Sequence, residues 1–250
     1  MQQSPGLTEL LQARRILCVQ PHYDDNDIGA GGTLAALHMR GAELIYLTVT
    51  DDLVGVLDPT LPSDRAALQL KAEQRCAGEF IGVGQQIWLG YPDAGEFSVF
   101  ALRREIVRWI RQLRPDFVFT CDPWLPYEAH QDHIRTGLAV AEAAILYHLP
   151  RFITDPEIDA SYQPHELKGI AFYLSHAPSL TFDISAWQAI KHAALDCYRL
   201  QFIADTMATL QRKLEAFERQ VGQAAGFQFG EPLKLLAPDQ LHIDATTWRS

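Results

Sequence analysis

The sequence predicts an α/β fold in which one mostly parallel sheet carries helices on both faces, and three observations lead there. Short runs rich in Val, Ile, Leu and Phe alternate with longer amphipathic segments, the pattern of strands joined by crossover helices. Those runs are apolar throughout instead of alternating, as strands covered on both faces must be. At 250 residues the chain is long enough to bury one large core. No internal repeat or low-complexity tract divides it, so residues 1–250 are expected to form a single domain.

Ile16 to Val19 is the first predicted strand, Ala30 to Met39 the helix behind it and Leu44 to Val49 the second strand. From Leu53 to Asp64, the residues Gly55, Pro59 and Pro62 mark a surface loop placed to act as a lid. Ala66 to Ile81 reads as a helix closing at Gly82, Gln86 to Leu89 as the third strand, and Phe100 to Leu113 as a helix stopped at Pro115. Phe117 to Cys121 is the fourth strand, with Ile134 to Leu149 as the next helix. Beyond Pro150 the order is less marked. Ile170 to Leu174 and Thr181 to Ile184 read as strands there, Ala186 to Leu200 and Ala208 to Val221 as helices. The whole is Rossmann-like.

With 31 acidic against 21 basic side chains the net charge is −10, which repels nucleic-acid phosphates and anionic lipid. A neutral or amino-bearing small molecule suits this charge better than either. Cys18, Cys76, Cys121 and Cys197 form no C-x-x-C pair, and three of them fall in apolar stretches. Free buried thiols in a reducing cytoplasm are therefore expected. The N-terminus carries Glu9, Arg14 and Arg15 without an apolar leader core, and no window reaches membrane-spanning length. A soluble cytoplasmic protein is expected.

Each of the first four strands ends in polar residues: His22, Asp24 and Asp25; Asp51 and Asp52; Tyr91-Pro92-Asp93; and Asp122 through His133. Open parallel sheets bind ligands at those carboxyl ends, so the topology collects four clusters on one edge. His130 and His133 stand three positions apart, on one face of a helix's first turn. A hydrolytic zinc site takes three protein ligands and leaves one position open, and His22, Asp25 and His133 are the natural trio. Asp24, beside a ligand yet pointing elsewhere, is left as a general base. His130 can stabilise an oxyanion and Asp132 can orient an imidazole. Two histidines and a carboxylate also suit cobalt, nickel or iron. Trp124, Tyr127 and Trp88 flank the same edge, where aromatic faces suit the C–H patches of sugar rings; core or loop packing is the ordinary alternative.

An acidic pair behind a strand is also how a helix N-cap reads, with Asn26 or Asp27 as the cap. Placement of both clusters on one edge favours the metal. Gly29-Ala30-Gly31-Gly32, with Asp51 and Asp52 after the second strand, invites a dinucleotide site and hence a nucleotide-dependent oxidoreductase. However, Leu34 stands where that fingerprint wants its third glycine. These glycines read instead as letting the helix pack tightly on the sheet. Against a metal- or sugar-binding protein without turnover stands the intact set Asp24, His130 and Asp132, which binding alone does not require.

These motifs resemble the LmbE-like, or PIG-L, family of zinc-dependent N-deacetylases, whose signatures run P-H-x-D-D and H-x-D-H. Pro21-His22-Tyr23-Asp24-Asp25 and His130-Gln131-Asp132-His133 match both. Val49-Thr50-Asp51, the stretch from Trp88 to Asp93 and the stretch from Asp122 to His130 resemble the diacetylchitobiose deacetylase branch, and the likeness covers most of residues 14 to 185. It implies one zinc ion per subunit on His22, Asp25 and His133, with Asp24 as base and His130 assisting the tetrahedral intermediate. It also implies an amino-sugar substrate whose hydroxyls Asp93 contacts, and a homo-oligomer, trimer or hexamer, in which His242 reaches into a neighbouring subunit's site. Two positions depart. Asn26 replaces the family's usual glutamate, and Leu70 stands where an arginine commonly contacts the substrate, three positions before Glu73. Lys71, Arg65 or Arg75 are candidates to stand in for it. Leu70 keeps open another N-acyl amine, such as a glucosaminyl conjugate or an antibiotic precursor, as substrate of the same chemistry.

Overall fold

The computed structural model of the chain describes residues 4–242. Leu7–Leu11 (α1) leads into Arg15–Gln20 (β1), Asp25–Met39 (α2), Glu43–Thr50 (β2), Ser63–Ile81 (α3), Val83–Tyr91 (β3), Val99–Leu113 (α4) and Phe117–Cys121 (β4). Gln131–Leu146 (α5), Pro156–Ser161 (α6), Gly169–Tyr173 (β5), Leu180–Asp183 (β6), Gln188–Leu195 (α7), Ala204–Ala224 (α8) and Gly230–Leu236 (β7) follow, with a short 3-10 turn at Pro238–Leu241.

All seven strands lie in one sheet of order β3-β2-β1-β4-β5-β7-β6. β3, β2, β1, β4 and β5 run parallel to their neighbours, and only the pairings of β7 with β5 and β6 are antiparallel. This is the α/β architecture the apolar runs imply. From β1 the chain steps outward to β2 and β3, then crosses back to place β4 on the other side of β1. The crevice outside the carboxyl ends of β1 and β4 is therefore the topological switch point.

Strand residues divide between two cores. Ile16, Cys18, Leu44 and Tyr46 pack with residues of α2, α3, α7 and α8, whereas Leu17, Val19, Ile45 and Leu47 pack with residues of α4 and α5. Both faces are dry, which is why these strands read as unbroken apolar runs. α2 needs its glycines for closeness: a Cβ at Gly29 would collide with the Tyr173 ring, and one at Gly32 would lie 2.8 Å from Ile184 Cβ.

Three expectations are corrected and one strand is new. α2 starts at Asp25, not Ala30, so a proposed metal ligand is the first residue of the helix. The helix read over Ala186 to Leu200 is confined to Gln188–Leu195. β7 carries buried Glu231 and Lys234, charges that make it read as surface. Glu231 is satisfied by Gly32 N at 3.1 Å, Thr33 N at 2.7 Å and Lys191 Nζ at 2.7 Å, and Lys191 also meets Glu218 at 2.7 Å. That buried charge set ties α2, α7 and α8 to β7. Finally, Cys18 and Cys121 are free and buried as expected, but Cys76 and Cys197 form a disulfide, their Cα atoms 6.0 Å apart. Among the described residues no helix is long and apolar enough to cross a membrane.

Candidate active site

Between β1 and α2 the backbone turns through Pro21 to Asp24, and side chains from four elements fix that turn. The Tyr23 carbonyl accepts hydrogen bonds from Gln20 Nε2 at 3.1 Å, Gln74 Nε2 at 3.2 Å and the Tyr198 hydroxyl at 2.9 Å. Tyr23 N donates to Asp52 Oδ2 at 3.1 Å, and Thr50 Oγ1 to the Pro21 carbonyl at 2.9 Å. A turn held by this many bonds cannot swing, so the side chains it carries are preorganised.

The capping alternative fails on geometry. Position 24 is the N-cap of α2, but its carboxylate makes no capping bond. Asp27 is taken by the hydroxyls of Tyr46 and Tyr198, and Asn26 Nδ2 donates to the Cys18 carbonyl at 3.4 Å. Asp24 faces the crevice. It shares a cavity of about 250 Å³ with His22, Asp52, Asp93 and His130, whose mouth is rimmed by Val54 and Gly55. The loop bearing those two residues is tethered, with Val54 N donating to Asp93 Oδ2 at 2.9 Å and Leu57 N to the Leu200 carbonyl at 3.1 Å.

His133, from the first turn of α5, meets the β1 cluster across the switch point. Asp25 bridges the two histidines, its carboxylate 3.3 Å from His22 Nδ1 and 3.4 Å from His133 Nε2. One ligand atom from each of His22, Asp25 and His133 lies within 4.8 Å of the others. A second group of donors, His22, Asp93, His130 and Asp132, meets the same limit. The rings of His130 and His133 stack with centroids 5.0 Å apart. Asp132 is fully buried, with Oδ2 accepting from Ala94 N at 2.8 Å and lying 3.6 Å from His22 Nε2.

This donor set fits a divalent cation. His22 Nε2 and Asp132 Oδ1 are buried without a hydrogen-bond partner, as groups waiting for a ligand or ion are. Asp24, Asp25, Asp52 and Asp132 are all buried, and so many carboxylates around three imidazoles leave an excess of negative charge in a low-dielectric setting. The titration directions report that field. Burial opposes charging His22, yet Asp25, Asp93 and Asp52 prevail and push its pKa up to about 12. Burial likewise works to raise Asp25, but the charge of His133 and the contact with His22 hold it well below the usual carboxylate range. Asp24 goes the other way: burial, with the charges of Asp25 and Asp52, lifts it well above that range, against the pull of His22. Burial is also the main force that raises Asp52, to about 7. Burial and the neighbouring His22 and His133 lower His130.

The aromatic residues and His242 lie elsewhere. Trp124, half exposed, lines a neighbouring cavity with Asp122, Phe172 and Lys234, because its ring turns edge-on to Phe172 with centroids 5.5 Å apart. Tyr127, at a positive φ of 67°, stands fully in solvent. His242 belongs to a cavity with Tyr147, His148 and His165, away from this cluster within the chain. Leu70 is fully buried in the core, and Lys71 and Arg75 lie over the Trp88 ring at 5.5 and 4.8 Å. No Lys or Arg among the described residues lines the metal-side cavity. Gln201 also lines this cavity and carries no signal in the sequence, since nothing in its neighbourhood looks chemical; Asp52 was visible as an acid behind a strand, considered only for a dinucleotide site.

Comparison with known proteins agrees with this geometry. Residues 17–144 match the PIG-L family, described as GlcNAc-PI de-N-acetylase. The chain is 32% identical over 230 residues to a diacetylchitobiose deacetylase of Thermococcus kodakarensis, covering 92% of this chain and 86% of that one. It is 32% identical over 172 residues, 56% of this chain and 47% of the other, to a 1D-myo-inositol 2-acetamido-2-deoxy-alpha-D-glucopyranoside deacetylase of Kineococcus radiotolerans. Its fold superposes with a TM-score of 0.90 on the N,N'-diacetylchitobiose deacetylase of Pyrococcus horikoshii solved with an inhibitor, at 32% identity over 96% of this chain and 90% of that one.

Proposed function

Because the chain belongs to the PIG-L family of de-N-acetylases, we propose that it hydrolyses the acetamide of an N-acetylglucosamine-type sugar, such as N-acetylglucosamine or diacetylchitobiose, to acetate and a free amine. It is thus a hydrolase of carbon–nitrogen bonds in linear amides. His22, Asp25 and His133 hold one zinc ion per subunit. When bound, zinc would supply Lewis-acid chemistry that makes water more acidic near neutral pH.

The remaining work falls to this chain's own groups. Asp24 takes the proton of the attacking water as general base and returns it to the departing nitrogen as general acid. A carboxyl lifted by burial suits both halves of that task. His130 steadies the negative charge that develops on the acetyl oxygen, Asp132 orients His22, and Asp93 receives a sugar hydroxyl. The protein acts in the cytoplasm as a homo-oligomer, a trimer or hexamer, with His242 directed at a neighbouring subunit. Its net charge of −10 argues against nucleic-acid partners.

The observation that carries this assignment is the meeting of His22, Asp25 and His133 across the switch point, with Asp24 beside His22 in the adjoining cavity. Elemental analysis of purified protein, paired with acetate-release assays on N-acetylglucosamine, diacetylchitobiose and N-acetylated conjugates, tests it. About one zinc per chain and acetate from the amino sugars are expected. Strict preference for a non-sugar amide would move the same chemistry to a different substrate, and metal-free protein with full activity would end the metal assignment.

A further inference from the structure

We infer that Gln201 is a specificity-determining residue whose side-chain oxygen accepts a hydroxyl of the sugar bound at the metal-side cavity. This rests on the amino-sugar assignment above. Gln201 lies outside residues 17–144, the part matched by the family profile, yet it lines the cavity with Asp24, Asp52, Asp93 and His130.

Its placement is fixed from three sides. The backbone N–H groups of Arg199 and Leu200 both donate to Glu73 Oε2 on α3 at 3.1 Å. The Leu200 carbonyl accepts from Leu57 N of the rim loop at 3.1 Å. Gln201 Nε2 then donates to Asp52 Oδ1 at 2.7 Å, which turns the amide nitrogen toward that carboxylate. That leaves Gln201 Oε1 buried and without a partner. A buried acceptor left unmade is costly, so a held amide of this kind is built for a donor that arrives later.

The chemistry of that donor follows from the wall around it. Asp24, Asp52 and Asp93 are carboxylates, and no Lys or Arg among the described residues lines the cavity. Three carboxylates beside the imidazoles of His22 and His130 favour a ligand rich in hydrogen-bond donors. A neutral sugar ring, with hydroxyls on several carbons, is such a ligand.

The test uses the zinc-loaded protein with N-acetylglucosamine and its 3-, 4- and 6-deoxy analogues, and the variant Gln201→Met, which keeps length but loses the amide. Wild type should lose about tenfold in kcat/KM on one analogue. Gln201→Met should lose about the same on the parent sugar and nothing further on that analogue, because the contact is already gone. Equal losses of the variant on all four sugars would mean that the amide only braces Asp52, and would overturn the inference. So would a wild type indifferent to every deoxy position, an arm that decides the matter even if the variant does not fold. Wild type releasing no acetate from any of these sugars would instead remove the amino-sugar assignment, and this contact with it.

Discussion

Asp24 and Asp25 are adjacent in sequence and opposite in behaviour, and the difference comes from what each one faces. Asp25 sits between two imidazoles and is held ionised by them; Asp24 faces the cavity, where burial and like charges lift it. Such a split is consistent with the proposed roles of Asp25 as ligand and Asp24 as base. Asp24→Asn should therefore keep its zinc, measured by elemental analysis, while kcat for acetate release falls by at least about 100-fold. Normal turnover in that variant would refute the role. The residues with a recognisable spacing, His22, Asp25, His130 and His133, were legible in the sequence because ligation needs fixed residue types. Trp124 and Tyr127 lie outside the cavity that holds Asp24, and spacing alone does not encode the direction of an aromatic ring. Gln201 was invisible, since an amide gains its meaning only from the Asp52 carboxylate it meets in three dimensions.

α2 is the element on which the site depends, for it begins at Asp25, the proposed ligand, and lies close enough to the sheet that Gly29 touches the Tyr173 ring. Gly29→Ala should overpack that contact and destabilise the fold by about 1–3 kcal/mol, read as a lower midpoint in urea. An unchanged midpoint would mean that the helix can shift outward freely. β1, β2 and β4 were legible because both their faces are buried and apolar, whereas β3, at the sheet's edge with Gly84 and Gln85 exposed, was legible only from Gln86 to Leu89. β7 was not, because Glu231 and Lys234 read as surface while the structure buries both, Glu231 against Lys191 and two amides of α2. The Cys76–Cys197 bond joins α3 to the segment after α7 across a sequence separation of 121, a distance over which no local pattern reports.

Over the whole molecule, the sheet order puts the chemistry at the reversal between β1 and β4 and leaves the opposite edge to structural groups. His165 is one of these: burial, aided by the charge of Arg114 and opposed by Asp116, lowers its pKa from 6.5 to about 4. The folded state thus binds fewer protons there than the unfolded chain, so this residue's contribution is present above pH 6.5 and is lost as pH falls through about 4. The melting temperature of His165→Gln should fall less than that of wild type across this window; parallel profiles would refute the assignment.

Two overlapping donor groups share His22, and the proposed cation can sit in only one of them. A crystal of zinc-loaded protein, with anomalous scattering measured on either side of the zinc edge, distinguishes them directly. One peak within about 2.0–2.2 Å of His22, Asp25 and His133, with Asp24 outside that distance, is the expected result. A peak held instead by Asp93, His130 and Asp132, with His133 turned away, would contradict it.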